Sequence, residues 1–152
     1  MTALRDVLAV VGEEVQRAQA RHAAMQSDAE GYSVLIEEVA ELAELVRGDA
    51  GTDPPAIGEA IQVAAMGLRY VIDRVPEHTL NTRELVIELG YAAGALPPVL
   101  SPHDGYGRLV KAVSTFFGFI RDDAGGFGAA AEAAIGVAAV AVRYVMDMEN
   151  AP

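Results

Sequence analysis

With 152 residues, 52% of them hydrophobic but only 6% aromatic, the chain has material for one domain built from Ala, Val and Leu, which favours packed helices over a β-sandwich. A formal net charge of −11 excludes a direct grip on a nucleic-acid backbone, and phosphate compounds fit only where a divalent cation bridges the like charges. The absence of cysteine excludes disulfides and thiolate metal sites.

Helical spacing dominates the chain and predicts helices near 3–24, 29–47, 55–74, 81–93, 106–121 and 128–148. The first begins in MTALRDVLAVVGEE, which lacks a cationic stretch leading into a long apolar run, so no signal peptide is expected. Ser27 and Glu30 have capping-box spacing ahead of the second helix. That helix, YSVLIEEVAELAELVR, places Glu37, Glu38, Glu41 and Glu44 on one arc, with Leu35, Val39, Leu42 and Val46 opposite. Like charges one turn apart repel by roughly 0.2–0.5 kcal/mol per pair, so something should offset them. A solvated acidic face accounts for the charges but not for the scarcity of basic partners.

RGDAGTDPP at 47–55 is a break, with Asp53 read as N-cap before a first-turn proline of the third helix. On this helix Glu59, Gln62, Met66 and Arg69 share a stripe. LPPVLSPHDG at 96–105 is the second break, where Ser101 precedes Pro102 as Asp53 precedes Pro54. The most apolar tract, AAIGVAAVAV at 133–142, is bounded by Glu132 and Arg143 and has about half the length that spans a bilayer. No membrane span is expected, and a cytoplasmic location is. Apolar surface on this last helix suits either a homodimer or burial within the chain.

The two breaks introduce segments that match each other. Residues 27–73 lie over 101–147 at a constant offset without a gap, with roughly 19 of about 47 positions identical, a fold-level signal. The matches include the GY pairs, Arg47 with Arg121, and the RYV triplets at 69–71 and 143–145. The first and fourth helices match more weakly, LRDVLAVVG over TRELVIELG. The expected fold is therefore all-α, a helical bundle of two related three-helix halves, 1–75 and 76–152. The acidic set occurs in only one of them: Glu37 falls on Lys111, Glu38 on Ala112, Glu41 on Thr115, Glu59 on Ala133 and Gln62 on Gly136. One half reads as active and the other as scaffold.

Facing stripes on the second and third helices would gather Glu38, Glu41, Glu59 and Gln62, an oxygen-only set suited to Mg²⁺ or Mn²⁺. EExxE on one helix, followed some twenty residues later by ExxD on the next, is the pattern of the MazG-like all-α nucleoside triphosphate pyrophosphatases, a superfamily that includes dimeric-type dUTPases. HAAMQSDAEGYSVLIEEVAEL followed by EAIQVAAMGLRYVID resembles that family over residues 20 to 75, and the remainder resembles it through the repeat. The resemblance implies metal-ligand roles for Glu38, Glu41 and Glu59, with Glu37 as a further ligand or the group that orients an attacking water. The family's last position is usually Asp; here Gln62 offers an amide oxygen but no charge and no base.

The resemblance further implies hydrolysis of a nucleoside triphosphate to the monophosphate and pyrophosphate, with Mg²⁺ or Mn²⁺ as cofactor. Cations near the phosphates would be Arg69 and, across the pseudo-twofold, Lys111, with Tyr32 stacking on the base. Alternatives stand beside these roles. Arg69 and Arg143 recur in both halves, which suits a structural ion pair, for example with an aspartate of the opposite half, and Tyr32 and Tyr106 suit packing at a helix start. His22 suits a polar cap. Family members are dimers or tetramers, so a duplicated chain with one surviving site would be a covalent pseudo-dimer. The rival class is a noncatalytic protein that keeps the fold for nucleotide sensing or helix-mediated assembly.

Overall fold

The computed structural model describes residues 2–75, 80–122 and 125–152, excepting the side chain of Phe127. Among the described residues the chain is 81% helical without a strand, in six helices: α1 Leu4–Arg21, α2 Asp28–Arg47, α3 Pro54–Arg74, α4 Thr82–Gly94, α5 Pro102–Asp122 and α6 Gly126–Glu149. α3 and α6 pack on each other at the centre. α2 and α1 cover α3, α5 and α4 cover α6, α1 touches α4, and α2 touches α5.

The apolar stripes read from the sequence are the buried faces. Leu35, Val39, Leu42 and Val46 of α2 are all buried, as are Val7, Val11, Val15 and Ala18 of α1. Glycine allows the closest approach of the central pair, since a Cβ on Gly67 of α3 would lie 2.9 Å from the Ala134 carbonyl oxygen of α6. The recurring GY and RYV elements explain each other in the same steric terms. The ring of Tyr70 fills the space above Gly31, where a Cβ would come within 2.7 Å of it, and Tyr144 does the same over Gly105 at 2.4 Å.

The ends of the helices follow local chemistry. Ser27 Oγ accepts the Glu30 N–H at 3.0 Å, while the Glu30 carboxylate accepts the N–H of Gln26 at 2.7 Å, one residue earlier than in a capping box. Ser101 and Asp104 repeat this, at 3.1 Å and, to the Leu100 N–H, 2.9 Å. α5 accordingly begins at Pro102, four residues before the sequence reading placed it. Asp53 is the N-cap residue of α3, but its side chain makes no capping bond. α1 stops at Arg21, short of the expected 24, because His22 turns extended. The extended segment that follows is tied to α3, with the Met25 N–H donating to Asp73 at 3.0 Å. Ser27→Ala should cost about 1 kcal/mol, and a melting curve should show it as a fall of about 2–4 °C for a chain of this size.

Arg69 and Arg143 are indeed in ion pairs, but with aspartates of their own helices and not of the opposite half. Arg143 donates twice to Asp147, at 2.7 and 3.1 Å, and Arg69 Nε lies 3.5 Å from Asp73. α6 contains a stretch, Gly128–Glu149, that by length and composition is apolar enough to cross a membrane, longer than the tract picked from the sequence; 56% of its most apolar window is buried. Its Ala134, Val137, Ala138, Ala141 and Val142 form core, while Ile135, Gly136 and Val140 are only partly covered. Large exposed apolar side chains lie elsewhere, among them Val10 of α1 and Ile87 and Tyr91 of α4.

Candidate metal centre

α2 and α3 pack together and bring their acidic stripes face to face. The result is a cluster in which carboxylate oxygens of Glu38, Glu41 and Glu59 all lie within 4.8 Å of one another. Glu41 is exposed and the other two are half-buried. The (i, i+3) spacing puts Glu38 and Glu41 on adjacent turns of α2, and Glu59, in the second turn of α3, closes the set.

Three like charges so close raise the free energy of ionising each. Loss of water by burial, then Glu59, then Glu41, push the Glu38 carboxyl up to about 7. Glu59 is pushed up too, first by burial and then by Glu41. A hard divalent cation with oxygen ligands at about 2.0–2.6 Å has a ligand sphere about 4–5 Å across. The trio therefore fits such an ion in both donor type and spacing, and none of the three carboxylates has an ion-pair partner among the described residues.

The cluster meets a cleft of about 480 Å³ between α1, α2 and α3 through Glu38, while Glu41 and Glu59 lie outside its lining. Glu37, Glu38 and Gln62 line one side of it. Glu37 and Gln62 thus flank the cluster, whereas Glu44 is exposed farther along α2. Arg21 and His22, at the end of α1, also line the cleft and bring cationic capacity toward the acidic wall. His22 is thus both the residue that ends α1 and part of the cleft lining.

Arg69 lines this cleft but is locked in place. It is 4% exposed, donates to the Ala23 carbonyl oxygen, and lies at ion-pair distance from Asp73. Its Nε lacks a hydrogen-bond partner among the described residues, because the 3.5 Å approach to Asp73 does not meet hydrogen-bond geometry.

Two residues expected at this site lie elsewhere. Tyr32 stacks on Phe117 of α5 with ring centroids 4.8 Å apart, on the seam between α2 and α5 and outside the lining of the acidic cleft. Lys111 lines a different cleft, formed by α5, α6 and the segment before α5. Conversely, Glu14 lines the acidic cleft and was missed. It is 7% exposed, with Arg17 one turn on as its ion-pair partner. The signal was there: Glu14 interrupts the Val7, Val11, Val15, Ala18 stripe, and a carboxylate on an apolar face needs a reason to be there.

Compared with protein-family models, curated proteins and solved structures, the chain matches none.

Proposed function

We propose that the chain is a metal-dependent nucleoside triphosphate pyrophosphohydrolase of the MazG-like kind, with its site between α1, α2 and α3. The observation that supports this best is the trio Glu38, Glu41 and Glu59, three carboxylates within 4.8 Å at the edge of a cleft large enough for a small ligand. The trio would hold Mg²⁺ or Mn²⁺, which when bound neutralises phosphate oxygens and lowers the pKa of a coordinated water.

The chain's own residues have distinct tasks in this reading. Glu37, adjacent to Glu38 and lining the cleft, orients the water and accepts the proton it loses as its oxygen bonds to phosphorus and the α–β anhydride bond breaks. Gln62 donates through its amide NH₂ or accepts through its carbonyl but takes no proton. Arg21 meets the negative phosphate chain from the opposite wall, and Arg69 holds the 22–26 segment in place. Products are the nucleoside monophosphate and pyrophosphate.

The paired features support reading 1–75 and 76–152 as a covalent pseudo-dimer. Asp73 accepts the Met25 N–H as Asp147 accepts the Val99 N–H, Ser27 caps α2 as Ser101 caps α5, and Tyr70 covers Gly31 as Tyr144 covers Gly105. Gln62, where the resembling family has Asp, favours one rival: a site that binds a metal-nucleotide for sensing without turnover. Pyrophosphate release from a panel of canonical and damaged nucleoside triphosphates, with Mg²⁺, Mn²⁺ or chelator, separates the two. Metal-dependent release from at least one nucleotide is expected. Nucleotide binding without release would instead establish the sensor.

A further inference from the structure

The second cleft, where Lys111 resides, occupies the same position in the 76–152 half as the acidic cleft does in the first. Val99, Lys111, Ala112, Val140 and Arg143 line it where Met25, Glu37, Glu38, Met66 and Arg69 line the other. Its chemistry is opposite. The walls are Leu96, Pro97, Val99, Ala112 and Val140, the charged residues are Arg108, Lys111 and Arg143, and no carboxylate is among the lining residues. The small side chain of Ala112, standing where Glu38 stands, helps leave open a volume of about 360 Å³.

The charges of this cleft do not cancel. Arg108 pairs with Asp104 at 2.9 Å and also donates to the Pro97 carbonyl oxygen. Arg143 donates from Nε and one terminal nitrogen to the Asp147 carboxylate, which balances its charge. Lys111 has no carboxylate within ion-pair distance among the described residues, which leaves one uncompensated positive charge beside an apolar pocket in a chain of net charge −11. Thr115, one turn from Lys111, spends its hydroxyl proton on the Lys111 carbonyl oxygen.

We propose that this cleft binds a small amphiphilic monoanion, its apolar body against Leu96, Val99, Ala112 and Val140 and its charged head at Lys111. One free cation matches one negative charge; a triphosphate would need several, and the two arginines are already neutralised. Clefts of about 300–1,000 Å³ with apolar walls and a few placed polar groups are the usual seats of small ligands. The proposal is independent of the metal reading, since none of the residues is shared.

The probes are decanoate, decyl sulfate and decanol, titrated calorimetrically and by amide NMR shifts into the intact protein and into Lys111→Glu, Lys111→Gln and Ala112→Leu. Decanoate is expected to bind more tightly than about 1 mM, with shifts at α5 and α6, and at least tenfold more weakly to Lys111→Glu and Ala112→Leu. Lys111 is exposed, so its variants should remain folded, as a melting curve will show. Decyl sulfate binding as well as decanoate makes the head group any small monoanion; decanoate binding alone restricts it to a carboxylate. Decanol binding as tightly as decanoate, Lys111 variants binding unchanged, or no binding because a second copy of the chain covers the face each overturns the proposal. Glu38→Gln should bind decanoate normally, so failure of the metal site would not be confused with failure of this one.

Discussion

Glu41→Gln is expected to make the metal-free protein more stable and at the same time to abolish its response to divalent cations. Both effects come from the same three carboxylates. Without an ion, Glu41 repels Glu38 and Glu59, and a neutral amide of the same size removes that repulsion while keeping the packing. As Glu41 is exposed, the gain should be modest, about 0.5–1 kcal/mol. With an ion, the wild-type site gains stability by mass action, about 2.7 kcal/mol at a hundred times the dissociation constant. For a chain of this length that is a rise of roughly 5–10 °C in melting temperature. Glu41→Gln should show none of it, and any pyrophosphate release should fall by at least about 100-fold, as expected when a group stabilising transition-state charge is lost. Calorimetric melting in chelator and in millimolar Mn²⁺, beside a release assay, checks all three. A solvated acidic face would leave the wild-type protein unresponsive to Mn²⁺, and the variant would then differ from it only slightly.

How far these residues could be found from the sequence depended on whether their neighbours were local or distant. Glu38 and Glu41 were legible because three residues of helix fix their relation, and Glu59 because the facing stripe on the next helix leaves few registers. The partners of Arg69 and Arg143 were also local, at i+4, yet the repeat drew attention to the opposite half. Glu14 belongs to α1, whose approach to the α2–α3 pair is set by tertiary packing. Lys111 was assigned by symmetry to the acidic site, but equivalent positions in a repeat line equivalent clefts, and it lines its own. The start of α5 was legible in the Ser101–Pro102 cap signal, which the spacing of apolar residues overrode, whereas the end of α1 was not. The residues between α1 and α2 bond to Asp73 far along the chain, and propensity alone carries no sign of that.

The pH dependence of stability should flatten when the metal is added. Glu38 has its folded-state pKa raised from 4.5 to about 7, so between these values the folded chain holds a proton that the unfolded chain has released. The stability linked to this group is therefore greatest on the acid side and is lost as pH rises from about 4.5 through about 7. Glu59 is displaced in the same direction and adds to the slope. A tenfold change in acid strength corresponds to about 1.4 kcal/mol, but Glu38 is only half-buried, and solvent screening reduces the loss to about 1–2 kcal/mol. In chelator, the wild-type protein should lose several degrees of melting temperature relative to Glu38→Gln between pH 5 and pH 8, the variant having no proton there to lose. In saturating Mn²⁺ the wild-type slope should flatten, because the ion binds the ionised carboxylates and displaces the proton, so that above about pH 5 neither the folded nor the unfolded chain holds it. Melting temperatures of both proteins at four pH values, with and without Mn²⁺, measure this directly. A flat difference between the two proteins in chelator would mean that Glu38 ionises freely, and a wild-type slope unchanged by Mn²⁺ would mean that the carboxylates do not meet on an ion.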